Sequence, residues 1–166
     1  MNLFLPRVLG TQLAASESEE SAETANHGNE TILVVDDNIE VRATACMQLT
    51  ELGYRVIEAG DGKAALEILA NASTIDLVFS DVVMPGGMTG FDLARIVYRD
   101  YPEIKLLLVT GFAGAVLRQH VEVGESMPML RKPYRRDELA ARVRQVLDAK
   151  RAIAEPVLAA ISGGTR

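Results

Sequence analysis

One stretch decides the fold of this chain: Leu77-Val78-Phe79-Ser80-Asp81-Val82-Val83-Met84-Pro85. An apolar run leads directly to one acid, and a Pro-Gly-Gly turn follows it. A run of this length that is bounded by a turn is typical of a strand buried on both faces of a sheet. We therefore expect Asp81 at the carboxyl end of a strand, which is where open α/β sheets bind their ligands.

The composition indicates one folded domain with tails. The 166 residues are 48% hydrophobic, which is enough for a sizeable core and excludes a disordered protein. The net charge of −6 argues against a nucleic-acid-binding surface. Cys46 is the only cysteine, which excludes an intrachain disulfide and fits a reducing cytoplasm. No uncharged apolar run approaches the roughly 20 residues of a membrane span, so we predict no membrane contact by this chain.

Strands and helices alternate along the chain from Thr31. This alternation predicts an α/β fold, a doubly wound five-stranded parallel sheet with helices on both faces. We expect the folded domain over 31–150, a largely flexible segment over 1–30 and a C-terminal tail over 151–166. The predicted strands are 32–35, 54–58, 75–80, 104–109 and 127–131, and the predicted helices are 39–52, 63–70, 91–101, 112–124 and 137–150.

Potentially reactive side chains follow four of the predicted strands. Asp36 and Asp37 follow the first strand, Asp81 the third, Thr110 the fourth and Lys132 the fifth. The carboxyl ends of parallel strands share one edge, so the three acids lie within a few ångströms of each other if the first strand neighbours the third. Taken alone, Asp36 and Asp37 fit equally well as caps of the following helix.

Three carboxylates in one cleft repel each other, so either one of them holds a proton or a cation lies between them. Oxygen ligands in a cleft open to water favour Mg²⁺ over zinc. Lys132 adds a positive charge and Thr110 a hydroxyl. This set of groups suits phosphoryl transfer to a carboxylate oxygen, with the charge on the phosphoryl oxygens stabilised by the metal and the lysine.

Over about residues 30–150 the chain resembles the receiver domain of bacterial two-component response regulators. The resemblance rests on four motifs in the family's order, which are very specific together: Val34-Val35-Asp36-Asp37, Asp81-Val82-Val83-Met84-Pro85-Gly86, Val109-Thr110-Gly111 and Lys132-Pro133-Tyr134. It implies the flavodoxin-like strand order 2-1-3-4-5.

The resemblance also implies roles for the acids. Asp81 is expected to accept a phosphoryl group from a phosphohistidine. Asp37, Asp81 and the backbone carbonyl of Val83 are expected to bind Mg²⁺, and Asp36 to hold the waters of the metal. Lys132 is expected to pair with the phosphoryl oxygens.

The same resemblance implies a switch. Thr110 is expected to bond a phosphoryl oxygen and a cis peptide is expected at Lys132–Pro133. The usual switch aromatic is replaced by Met129, so Phe112 or Tyr134 is an alternative switch residue. The loop that starts at Pro85 is one residue longer than the commonest form, as in hybrid sensor kinases.

The implied partner is a sensor histidine kinase or a histidine phosphotransfer domain. A homodimer through the fourth predicted helix, the fifth strand and the fifth helix is a further expectation. The chain is interpreted as a cytoplasmic signalling module rather than an enzyme, with only self-catalysed phosphoryl transfer and hydrolysis. Leu3-Phe4-Leu5-Pro6-Arg7 is similar to the end of a histidine-kinase ATP-binding domain, so residues 1–30 are a linker or the remnant of such a domain in a hybrid kinase.

Two alternatives stay open. The first is a free-standing receiver, either a phosphorelay shuttle or a phosphate sink, which shares every site residue. The second is a metal-dependent phosphohydrolase with an aspartyl nucleophile. Such enzymes typically carry Asp-x-Asp after the first strand, whereas Asp36 and Asp37 are adjacent and Asp81 follows the third strand.

Overall fold

The computed structural model describes residues 28–72, 74–111 and 127–149. The described residues form five strands and four helices that alternate as the sequence predicts, apart from the stretch between the last two strands. The elements are β1 (Thr31–Val35), α1 (Ile39–Glu51), β2 (Arg55–Ala59), α2 (Gly62–Asn71), β3 (Leu77–Asp81), α3 (Gly90–Asp100), β4 (Lys105–Thr110), β5 (Met129–Arg131) and α4 (Arg136–Asp148).

All five strands lie in one parallel sheet of order β2-β1-β3-β4-β5, which confirms the predicted fold. The chain order reverses between β1 and β3, because β1 pairs with β2 on one side and with β3 on the other. In open α/β sheets such a switch point opens a crevice outside the carboxyl ends of the strands. The candidate site therefore has to be sought beyond β1 and β3.

The sheet is buried on both faces, which explains why its central strands are almost continuously apolar. Successive side chains of a strand point to opposite faces, and the core is divided accordingly into two layers. Leu33, Val35, Val78, Leu106 and Leu108 pack with α2 and α3, and Ile32, Val34, Leu77, Phe79, Leu107 and Val109 pack with α1 and α4.

N-cap side chains accept hydrogen bonds from the first turn of three of the helices. The Asn38 side chain accepts hydrogen bonds from the first turn of α1, and Asp61 caps α2 as predicted. Thr89 and Asp92 form a reciprocal capping box at the start of α3. Because Asn38 supplies the cap of α1, the capping interpretation of Asp36 and Asp37 is wrong.

Most predicted boundaries agree with the structure to within two residues. The fifth strand is shorter than predicted and begins at Met129, although the Pro128 carbonyl still accepts a hydrogen bond of 3.0 Å from Leu108 N–H. The helix predicted over 112–124, the tail over 151–166 and residues 1–27 lie outside the described residues. None of the helices in the described part is long and apolar enough to cross a membrane.

Candidate phosphoacceptor site

The register of the sheet brings the three acids together. Val35 of β1 pairs with Ser80 of β3, so one more residue along each strand places Asp36 beside Asp81. Carboxylate oxygens of Asp36, Asp37 and Asp81 lie within 4.8 Å of one another. The three acids therefore lie close together, as predicted for a sheet in which the first strand neighbours the third.

Lys132 lies across two of these acids. Its Nζ is 3.1 Å from Asp36 Oδ2 and 3.5 Å from Asp81 Oδ1. β5 carries Lys132 to the cleft, and the Lys132 N–H donates to the Thr110 carbonyl at 2.8 Å, one step beyond the β4–β5 ladder. One positive charge thus opposes three carboxylates, which leaves the cleft with an excess of negative charge when all of them are ionised.

Asp81 lies in a poorly solvated environment. Its side chain is 14% exposed, and burial is the main cause that raises the pKa of its carboxyl. The charge of Lys132 opposes this shift and the charge of Asp36 adds to it, with a net upward direction. Asp81 Oδ1 accepts the Val82 N–H at 3.0 Å, whereas no hydrogen bond from the described residues reaches Oδ2.

Thr110 and Val83 occupy the rim that the sequence predicts for them. Thr110 is the last residue of β4 and is buried, and it follows Val109, the register partner of Asp81. Val83 lies two residues beyond Asp81 and is 51% exposed. Thr110 thus lies at the carboxyl edge of the sheet, one residue past the register partner of Asp81, and Val83 lies in the loop that follows β3.

Two of the three switch candidates, Met129 and Tyr134, lie in the described part of the chain. Met129 is half-buried at the start of β5, and its carbonyl accepts Arg142 Nε at 3.2 Å. Tyr134 packs edge to face on Phe79, with ring centroids 6.3 Å apart and planes at 88°. Burial, helped by the charges of Asp36 and Asp81, raises the pKa of Tyr134 to about 12. Phe112 lies outside the described residues, so its role stays a prediction.

The expected cis peptide at Lys132–Pro133 is confirmed. Residues 32–144 match the family described as the response regulator receiver domain. The chain belongs to this family. The family supports the receiver interpretation over the phosphohydrolase alternative, and receiver domains bind Mg²⁺ through an acidic pocket such as the one that Asp36, Asp37 and Asp81 form.

Two curated relatives illustrate the contexts in which such domains occur. The sensor kinase CckA of Brucella abortus is 33% identical over 153 residues, which cover 88% of this chain and 16% of that protein. The response regulator receiver protein CpdR of the same organism is 30% identical over 118 residues, covering 71% of this chain and 97% of that protein. The chain thus spans a small part of the first relative and nearly all of the second.

A solved structure of similar fold is the response regulator protein TrrA from Thermotoga maritima in complex with Mg²⁺-BeF. It is 28% identical with a TM-score of 0.63, and the match covers 70% of this chain and 98% of that one. The fold and the receiver family of this chain agree with both kinds of comparison.

Sequence reasoning missed two residues that shape the site. Asn38 directly precedes α1 and its position as a cap could have been recognised from its residue type. Arg42 hydrogen-bonds the Asp36 carbonyl and the Glu58 carboxylate. No local pattern indicates this pairing, because its partners lie on β2 and on the loop after β1.

Proposed function

We propose that Asp81 is the phosphoacceptor of this receiver domain. The observation that carries the proposal is the position of Lys132 Nζ, 3.5 Å from Asp81 and 3.1 Å from Asp36, in a cleft that also contains Asp37. A nucleophilic carboxylate with a fixed cation beside it is the arrangement that phosphoryl transfer requires.

The chemistry follows from the surroundings of Asp81. One of its oxygens is engaged by Val82 N–H and Lys132, and the other is open in the sense that none of the described residues donates a hydrogen bond to it. The open oxygen attacks the phosphorus of a phosphohistidine, and the P–O bond forms as the P–N bond breaks. The electron pair returns to the imidazole nitrogen, which then takes a proton from solvent. Lys132 neutralises charge on the transferred phosphoryl oxygens, and the Thr110 hydroxyl donates a hydrogen bond to one of them.

The acidic cluster fits Mg²⁺. Its ligands are carboxylate oxygens, with Asp37 exposed, Asp81 partly buried and Asp36 buried, and the single charge of Lys132 stands against three carboxylates. Asp37, Asp81 and the Val83 carbonyl would hold the ion directly, and Asp36 would hold its waters. When bound, Mg²⁺ supplies positive charge that draws the phosphoryl oxygens to Asp81. The structure of TrrA with Mg²⁺-BeF supports the same choice of metal.

The phosphoryl donor we propose is a protein: a sensor histidine kinase or a histidine phosphotransfer domain. Ile39 lies two residues after Asp37 and Val83 two residues after Asp81, and these apolar residues are 71% and 51% exposed. Exposed apolar groups beside a reactive centre favour contact with another protein surface. This role makes the chain a cytoplasmic signalling module rather than an enzyme. A homodimer through the predicted helix 112–124, β5 and α4 stays a prediction.

We further propose that the domain serves a hybrid sensor kinase. The match to CckA extends over 153 residues, which is longer than the receiver domain itself. The alternative, a free-standing receiver, is favoured by CpdR, of which the match covers 97%. The length of the natural open reading frame separates the two: kinase sequence upstream of the receiver supports the first, and its absence supports the second.

The decisive experiment is intact-mass spectrometry after incubation with acetyl phosphate and Mg²⁺. We expect a gain of one phosphoryl group in the wild type and none in Asp81→Asn. Asp76→Asn is a matched control, since Asp76 lies before β3 at the opposite edge of the sheet. Labelling that survives in Asp81→Asn would overturn the assignment of the acceptor.

A further inference from the structure

Arg42 of α1 lies behind the acidic cleft and bonds in two directions. Its Nη1 donates to the backbone carbonyl of Asp36 at 2.7 Å, and its Nε donates to Glu58 Oε2 on β2 at 3.0 Å. The Arg42 side chain is only 16% exposed. This one guanidinium therefore joins a helix, a neighbouring strand and the loop that carries the acids.

Asp36 is held at each of its polar groups. Its N–H donates to the Ala59 carbonyl at 3.3 Å, which extends the pairing of β1 with β2. Its Oδ1 accepts the Asn38 N–H at 2.9 Å and its Oδ2 accepts Lys132 Nζ at 3.1 Å. Arg42 completes the set by holding the carbonyl, so the orientation of Asp36 is fixed by four other residues, of which Asn38 and Arg42 belong to the N-cap and first turns of α1.

Asp37 contrasts with Asp36. Its side chain is exposed, and its carboxylate accepts no hydrogen bond from any described residue. The carbonyl of Asp36 and the N–H of Asp37 belong to one planar peptide unit. A bond that fixes the direction of this carbonyl therefore also fixes the direction in which the chain enters Asp37.

We infer that Arg42 is a positioning residue for cation binding. By holding the Asp36–Asp37 peptide unit, it keeps the Asp37 carboxylate turned toward Asp81, so that a divalent cation finds its ligands already in place. The inference rests on the proposed Mg²⁺ site. Residues that orient metal ligands typically change the metal affinity by about 10–100-fold when they are removed.

The two hydrogen bonds of Arg42 differ in their exposure to solvent. The carbonyl bond is partly buried, whereas the Glu58 side chain is 62% exposed, and exposed ion pairs contribute little. Arginine can make both bonds because its donors form a fixed fork, while a lysine offers a single ammonium. The carbonyl bond, rather than the ion pair with Glu58, should therefore set the cation affinity.

The test is calorimetric titration of the full chain with Mg²⁺. We expect Arg42→Met to weaken Mg²⁺ binding about tenfold and Arg42→Lys to recover part of the loss. Glu58→Gln keeps the carbonyl bond and should stay within about twofold of the wild type. Arg95→Met is the matched control, because Arg95 makes a comparable 3.4 Å ion pair with Asp92 on α3, outside the acidic cluster.

A second readout separates positioning from damage to the fold. The Mg²⁺ concentration for half-maximal labelling by acetyl phosphate should rise about tenfold in Arg42→Met, in line with the affinity. The labelling rate at saturating Mg²⁺ should stay within about threefold of the wild type, since the acceptor and Lys132 are unchanged. If Arg42→Met does not fold, Arg42→Gln carries the same test.

Three results would decide against the inference. Unchanged Mg²⁺ affinity in folded Arg42→Met overturns it while the proposed function stands. A tenfold loss in Glu58→Gln would show that charge, and not the carbonyl bond, is responsible. A wild-type chain that binds no Mg²⁺ overturns the proposed metal site itself, and the inference falls with it.

Discussion

At Asp81 the requirements of folding and of function oppose each other. Burial and the nearby charge of Asp36 favour the neutral carboxyl, and Lys132 compensates only in part, so the pKa of Asp81 is raised. The proposed phosphoryl transfer to Asp81 needs the ionised form of the same group. When no cation is bound beside it, the ionised Asp81 therefore reduces the stability of the fold.

Asp81→Asn should therefore stabilise the protein at neutral pH when Mg²⁺ is absent. A gain of about 1 kcal/mol would raise Tm by about 4 °C. Because the folded pKa is raised, the cost of ionisation is complete above that pKa and disappears as the pH falls to the ordinary aspartate value near 3.8. The difference in Tm between variant and wild type should shrink over the same interval, as measured by calorimetry between pH 7 and pH 4.

Adding Mg²⁺ should reverse this order, since binding stabilises the wild type and the variant has lost a ligand. Asp100→Asn is a control, because Asp100 is paired with Arg99 on the surface and its pKa is lowered instead. If the Asp81→Asn variant is less stable than the wild type without Mg²⁺, the ionised Asp81 carboxylate does not destabilise the fold.

The start of α3 approaches the carboxyl end of β3 very closely. A Cβ built on Gly90 would collide with the Asp81 carbonyl oxygen and would lie 2.8 Å from Val82 Cα. The contact is tight because the Gly90 N–H donates to the Val82 carbonyl at 2.9 Å. Glycine at position 90 thus leaves room for the hydrogen bond between the start of α3 and Val82, the residue that follows β3.

Gly90→Ala should consequently destabilise the fold by about 1–3 kcal/mol, since backbone atoms must move to admit the methyl group. The measurement is denaturant unfolding. Gly111→Ala is the matched control, because a Cβ at Gly111 meets no atom of the described residues within 4 Å. Equal stability of the two variants would show that the approach of α3 to Asp81 is less close than the structure indicates.

Elements of regular pattern were predictable from the sequence, and contacts between distant elements were not. The apolar strands, the cap Asp61 and the ends of the helices follow from local residue types, and the structure confirms them. The small boundary errors have physical causes. Tyr54, for example, was assigned to the second strand, but its N–H donates to the Leu49 carbonyl and closes α1 instead.

The positions of the candidate site residues were predictable where these residues lie at the ends of strands. Asp36, Asp81 and Lys132 follow apolar strands, so their meeting required only the strand order. The bond of Arg42 to the Asp36 carbonyl depends on how α1 packs beside β2, and no spacing in the sequence encodes this. The same holds for Tyr134, whose contact with Phe79 joins the loop after β5 to β3.

At the scale of the whole molecule, residues just before the predicted start of the domain at Thr31 contact the folded part of the chain. Gly28 N–H donates to the Leu52 carbonyl at 3.3 Å and Arg55 N–H to the Glu30 carbonyl at 3.0 Å. Arg144 Nη2 of α4 lies 2.8 Å from Glu30 Oε1. Residues 28–30 therefore connect the first strand to the last helix at the edge opposite Asp81.

Glu30→Gln should weaken this connection by about 0.5–1 kcal/mol at neutral pH, because the amide keeps a hydrogen-bond acceptor for Arg144 but loses the charge of the pair. The bond from Arg144 lowers the pKa of Glu30, so its contribution is complete above the ordinary glutamate value near 4.5 and is lost as the pH falls through the lowered folded-state value. Unfolding by denaturant at pH 7 and pH 3 measures this difference in free energy. Glu103→Gln, an exposed glutamate without an ion pair in the described part of the chain, should show no such pH-dependent loss.

A fragment starting at Thr31 should lose more stability than Glu30→Gln, because it also lacks the two backbone hydrogen bonds. Equal stability of fragments starting at 28 and at 31 would place the domain boundary at Thr31.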